Sequence, residues 1–162
     1  MAKSIARSVF SDPAFFLAYG FGAGLAPQAP GTVGSVVGMF LFVPMLFLPI
    51  GVQLFVVAAA LLLGISFTGL VAQQLNTVDP DGIVFDEFVG VWIAMLWLPG
   101  WYWLPIAFCL FRLFDILKPW PVSAAERRLA GGAGIMMDDV VAGLLSLGVL
   151  QGMHYVYSVV QI

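Results

Sequence analysis

Charge is what this 162-residue chain has least of. Its nine acids and six bases make up 9% of the residues, where a soluble domain would carry about 25%. No Asp, Glu, Lys or Arg occurs between Asp12 and Asp79. Further uncharged runs separate Glu87 from Arg112 and follow Asp139 to the end of the sequence. An ordinary soluble domain is excluded on this ground. Cysteine is nearly absent too: Cys109 alone rules out a disulfide framework or a thiolate metal cluster. Set between Phe108 and Leu110, it reads as a packed, inert thiol. The single histidine, His154, lies far along the last apolar run, which disfavours histidine-nucleophile phosphatase chemistry and a zinc site. With a net charge of -3 and only six bases, no nucleic-acid partner is expected. The N-terminus carries Lys3 and Arg7, then Asp12-Pro13 and a glycine-rich stretch. It lacks a signal-peptide core and cleavage site, so its retention is expected.

What the chain has in abundance is apolar sequence. Hydrophobic residues make up 62% of it, with a mean hydropathy of +1.04. Runs of this length read as membrane helices, because in lipid each segment must satisfy its own backbone hydrogen bonds. Residues 1–162 are expected to form one all-α, polytopic membrane domain, with an N-terminal interfacial helix and about five membrane-embedded helices. A short interfacial or half-inserted helix and a loop are predicted over 13–30. A first span begins near Thr32 and reaches Leu48, with a kink at Pro44; a second covers 52–75, followed by a polar loop from Asn76 to Phe85. Pro99-Gly100, flanked by Trp97, Trp101, Tyr102 and Trp103, divides the next run into a hairpin of helices near 86–98 and 104–118, since such aromatic clusters mark a membrane surface. A last span covers 139–160. With the N-terminus inside, Lys3, Arg7, Arg112, Lys118, Arg127 and Arg128 share one face, which the positive-inside rule makes cytoplasmic. Gly34-x-x-x-Gly38 and Gly148-x-x-x-Gly152 fit close helix packing.

The remaining charges fall in islands. Asp86-Glu87 opens one apolar helix, Asp138-Asp139 another, and Asp115 lies between Arg112 and Lys118 on a third. An acid at a helix start can be a response to the macrodipole, and Arg112 with Asp115 can be a local ion pair. Three acidic islands on one predicted face point further, to a divalent-cation site of the oxygen-rich kind that suits Mg²⁺. Ala29-Pro30-Gly31-Thr32-Val33-Gly34-Ser35 either caps a helix with Thr32 or brings backbone N–H groups and the Thr32 and Ser35 hydroxyls to an anion. Arg112 and Lys118 suit phosphate, whereas Arg127 and Arg128 read as lipid-facing anchors. Asp79-Pro80-Asp81-Gly82 lacks the surroundings of either a calcium loop or a haloacid-type phosphatase. A transporter or channel using intramembrane carboxylates for cations is the alternative reading. Its acids would lie near the midplane, whereas these collect at span ends on one side. A non-catalytic assembly subunit is a further possibility, for which so many polar motifs would be surplus.

Taken together, these motifs resemble the phosphatidylglycerophosphatase A family of bacterial membrane lipid phosphatases. The resemblance rests on Phe21-Gly22-Ala23-Gly24-Leu25-Ala26-Pro27, the 29–35 run, Asp86-Glu87-Phe88-Val89-Gly90 and Phe111-Arg112-x-x-Asp115. Lys118-Pro119-Trp120-Pro121 and Gly132-x-Gly134-Ile135-Met136-x-Asp138-Asp139-x-Val141-Ala142-Gly143 complete it. It covers roughly residues 20–145. It implies Mg²⁺-dependent conversion of phosphatidylglycerophosphate to phosphatidylglycerol and inorganic phosphate at the cytoplasmic face of the bacterial inner membrane. On that reading Asp86, Glu87 and Asp139 hold the metal. Catalysis falls to Asp86, Glu87, Asp115, Asp138 and Asp139, and substrate binding to Thr32, Gly34, Ser35, Arg112 and Lys118. Water attack, with Asp138 or Asp115 as proton acceptor, and a covalent aspartyl-phosphate both remain open.

Overall fold

A computed structural model describes residues 2–78, 80–123 and 129–160 of the chain. Asp79, Arg127 and Arg128, and the side chain of Lys3, lie outside the described residues.

Proline and glycine set the helix boundaries. The first helix, α1 (Ala2–Ser11), is followed by α2 (Pro13–Ala18), with Asp12 as its N-cap. The Asp12 carboxylate accepts from the Ala14 amide at 2.8 Å, and Pro13 fills a first-turn position that needs no N–H. A 3₁₀ turn over Gly20–Leu25 leads to α3 (Pro30–Phe42). Pro44 lacks an N–H and clashes with the preceding turn, so the chain tightens to 3₁₀ geometry over Val43–Phe47. That is the kink expected at Pro44. The helix α4 (Ile50–Leu75) ends at Asn76, whose left-handed conformation returns its amide to Ala72 and Gln73. After the polar loop come α5 (Phe85–Ala94), a 3₁₀ turn over Trp101–Trp103, α6 (Leu104–Leu117) and α7 (Gly131–Val160). No strand occurs among the described residues.

Three helical stretches are long and apolar enough to cross a membrane: Pro30–Phe47, Ile50–Leu75 and Gly131–Val160. The hairpin at Pro99-Gly100 is present, but its arms α5 and α6 have only 10 and 14 residues. At 1.5 Å per residue each falls short of a roughly 30 Å hydrocarbon core. Instead α5 is the buried centre of the bundle, packed between α3 and α7, with Phe88, Val89, Val91 and Ala94 fully enclosed. Glycines make these approaches possible. A β-carbon at Gly34 would meet Val84, and one at Gly38 the Phe88 backbone; Gly90 and Gly143 bring α5 against α7. The Trp92 indole donates to the Gly38 carbonyl at 2.8 Å, tying α5 to α3.

Several expectations are corrected. The last helix starts at Gly131, not 139, because Gly132 packs on the Ile65 carbonyl and Gly134 on that of Leu129. Asp138 and Asp139 are therefore about two turns inside the helix rather than at its start. The first span begins at Pro30 with Ala29 as N-cap, so Thr32 lies in the first turn and caps nothing. Gly148 and Gly152 face open space rather than a packed helix, since nothing lies within 4 Å of a β-carbon built at either. Cys109 is exposed on α6 instead of packed.

Candidate active site

Four helices meet where the charge islands converge. The first turn of α5 presents Asp86 and Glu87, where the N-terminal dipole favours anions. From α7, Asp138 and Asp139 reach the same place, because the Gly90–Gly143 contact lets the two backbones touch one turn beyond these acids. The C-terminal half of α6 supplies Arg112 and Asp115, and Lys118 caps that helix in a left-handed conformation, φ 43°. The first turns of α3 add Gly31, Thr32 and Ser35.

Asp86, Glu87 and Asp139 each direct a carboxylate oxygen into one cluster, all within 4.8 Å of one another. Asp139 is only 3% exposed. With Asp86 and Glu87 half-buried beside it, three carboxylates this close call for a compensating cation. Glu87 Oε2 is buried with no hydrogen-bond partner among the described residues, so an acceptor of the triad is left unmet. The donors are all carboxylate oxygens, and His154 stands fifteen residues further along α7, roughly 22 Å away at the helical rise. The triad can hold a metal, and its chemistry suits a hard cation rather than zinc.

The other two acids are paired with cations. Asp115 accepts from Arg112 Nη1 at 2.5 Å. Asp138 accepts from Lys118 Nζ at 3.0 Å through one oxygen, and from the Asp139 amide at 3.0 Å through the other. All five sequence-indicated acids thus belong to one constellation with two parts, a compact triad and two ion pairs at its edge. The i,i+3 pairing of Arg112 with Asp115 and the shared pocket are both present, so the local and the functional reading of that pair are not exclusive.

Arg112 also crosses to α3. Its Nη1 donates to Ser35 Oγ and its Nη2 to Thr32 Oγ1, each at 3.2 Å. The Ser35 hydroxyl, fully buried, donates in turn to the Gly31 carbonyl at 2.8 Å. Gly34 is buried against Val84. Asp81 is exposed in the 76–84 loop.

Gly31 has a role that the sequence does not show. In the structure, its missing β-carbon leaves the space taken by Glu87 Oε1, with Arg112 Nη1 beside it. The only signal in the sequence was the Pro-Gly-Thr run at a helix start.

The chain is similar to known proteins over most of its length. The chain matches the family model described as phosphatidylglycerophosphatase A over residues 16–154. It is 40% identical over 152 residues to the phosphatidylglycerophosphatase A of Escherichia coli strain K12, covering 91% of this chain and 88% of the relative. With the phosphatidylglycerophosphatase A of Haemophilus influenzae it shares 43% identity over 148 residues, covering 89% and 90%. A protein of Bacteroides thetaiotaomicron, provisionally described as a phosphatidylinositol-3-phosphatase, is 44% identical over 135 residues, covering 78% of this chain and 84% of its own. No solved structure matches the chain.

Proposed function

Because the chain belongs to the phosphatidylglycerophosphatase A family, we propose that its acidic constellation is where the phosphatidylglycerophosphate headgroup loses its terminal phosphate. The activity is that of a phosphoric monoester hydrolase: water adds to phosphorus, the ester oxygen leaves on phosphatidylglycerol, and inorganic phosphate is released. The observation that carries the placement is the meeting of the Asp86, Glu87 and Asp139 carboxylates beside Arg112 and Lys118.

Asp86, Glu87 and Asp139 would hold Mg²⁺, which would supply positive charge to offset that on the phosphate. The protein's own groups do the rest. Arg112 and Lys118 offset charge on the phosphate, and the start of α3 with Thr32, Gly34 and Ser35 closes that side of the site. An acid outside the triad, Asp115 or Asp138, takes the proton of the attacking water.

In this reading α3, α4 and α7 cross the bacterial inner membrane. The α5–α6 hairpin completes five embedded helices, and α1 and α2 lie at the interface, where Phe10 and Phe16 are exposed. Lys118 and the other bases then lie on the cytoplasmic side. The headgroup reaches the site while its acyl chains stay in the bilayer. Phosphate release from phosphatidylglycerophosphate by the purified protein, with Mg²⁺ and then with chelator, tests the assignment. Turnover that is unchanged in chelator would remove the metal from the reading, and no turnover at all would remove the site.

A further inference from the structure

The start of α3 carries two hydroxyls that a phosphate site could use directly, and the surroundings of Ser35 argue against direct use there. Ser35 is fully buried, and its one proton is donated to the Gly31 carbonyl at 2.8 Å. A hydroxyl has a single donor, so Ser35 has none left for an anion. Toward Arg112 it acts as an acceptor, at 3.2 Å, and so does Thr32.

The guanidinium has five N–H donors in one rigid plane. Asp115 and Ser35 occupy Nη1, and Thr32 occupies one position on Nη2. Nε is buried and has no hydrogen-bond partner among the described residues. The donors that remain are the Nε–H and the second N–H of Nη2, and Nε and Nη2 share one edge of the plane. Two parallel N–H groups are the fork that matches two oxygens of a phosphate. Thr32 and Ser35 sit one turn apart on α3, so together they fix the rotation of the plane as well as its position.

We propose that Thr32 and Ser35 are positioning residues that act through Arg112. They hold its guanidinium so that the Nε–Nη2 edge meets two oxygens of the substrate phosphate, and Ser35, its proton already donated to Gly31, makes no phosphate contact of its own. The inference rests on the reading above that this site takes a phosphate monoester, and it names which donors do so.

The test is a mutant cycle. Thr32→Val and Ser35→Ala are made alone and in an Arg112→Lys background, since an ammonium is a point charge that cannot bridge two hydroxyls while presenting a fork. Two quantities are read: kcat/KM for phosphatidylglycerophosphate, and the rise in melting temperature given by vanadate, which needs no turnover. In the Arg112 protein each substitution should lower kcat/KM about tenfold, the scale of one charge-assisted hydrogen bond, and shrink the vanadate shift. Thr32→Ser, which keeps the acceptor, should restore most of the Thr32→Val loss. In the Arg112→Lys protein the same substitutions should cost less than about twofold more, because residues acting through one group are not additive. Losses that multiply in the Arg112→Lys background, by either measure, would show direct phosphate ligands and overturn the inference. So would single variants that lose nothing. A wild-type protein without phosphatase activity would instead overturn the functional reading beneath it.

Discussion

Gly31 of α3 and Glu87 of α5 are in such close contact that a β-carbon at position 31 would collide with Glu87 Oε1. The glycine is therefore a condition for the carboxylate triad. Gly to Ala in a helix ordinarily gains up to about 1 kcal/mol, so a purely local view favours the substitution. Here Gly31→Ala should displace Glu87 and lower kcat/KM on the order of a hundredfold, the cost of moving a reacting group by about 1 Å. Gly51, in the first turn of α4, has nothing within 4 Å of its own virtual β-carbon and serves as the control. Gly51→Ala should leave phosphate release unchanged. Equal activity in the two variants would mean that Glu87 does not need its present position.

Lys118 pairs with Asp138 from a backbone conformation that L-residues adopt at a cost. The left-handed position after a helix is one where glycine is preferred, and the penalty for a side chain there is about 1–2 kcal/mol. Lys118→Ala and Lys118→Gly both delete the ion pair, but only the second relieves the backbone. Lys118→Gly should be the more stable of the two by about 1 kcal/mol in denaturant melts. Both should lose phosphatase activity to a similar degree, about ten- to a hundredfold, as expected for one charged hydrogen bond. A Lys118→Gly protein with full turnover would show that the strain serves something other than the phosphate.

The helices and the charged islands could be read from the sequence because each depends on neighbours in the chain. Pro44 tightens its own helix, and Pro99-Gly100 turns its own hairpin. What escaped depends on distant partners. Gly131-Gly132-Ala133-Gly134 reads locally as a helix breaker, yet α7 begins there because Gly132 lets α7 approach Ile65 of α4. Gly148 and Gly152 present the converse case: a small-residue pattern permits close approach but cannot say that a partner stands opposite. Arg112 meets Ser35 and Thr32 across 77 and 80 residues of sequence, a pairing that no local period encodes. The enclosure of α5 was not legible either, because a buried helix and a lipid-facing one are equally apolar.

Membrane orientation can be checked at two exposed positions. Trp101 lies beside the hairpin turn and Val78 in the loop before α5, and both side chains are largely exposed. In a background where the exposed Cys109 is replaced by Ser, single cysteines at 78 and 101 should react with an impermeant maleimide from opposite sides of the membrane. Position 78 should be protected in intact cells and labelled in inverted vesicles. Labelling of both from the same side would rule out the hairpin as a membrane-crossing unit.

The triad makes a prediction about stability as well as turnover. Asp139 is almost fully buried beside the half-buried Asp86 and Glu87, so without a cation the folded protein crowds three like groups together. Removing one such charge at constant shape relieves repulsion in the metal-free state, while also removing a ligand from the metal-bound state. Asp139→Asn should therefore melt at or above the wild-type temperature in chelator. The wild-type protein should gain stability as Mg²⁺ is added, by about 2.7 kcal/mol at a hundredfold excess over Kd, because the metal binds the folded state. The variant should gain little and release no phosphate, and Glu87→Gln should behave alike. The order of melting temperatures thus inverts between chelator and saturating Mg²⁺. If Asp139→Asn were as strongly stabilised by Mg²⁺ as the wild type, the carboxylate would not be a ligand, whatever its effect on turnover.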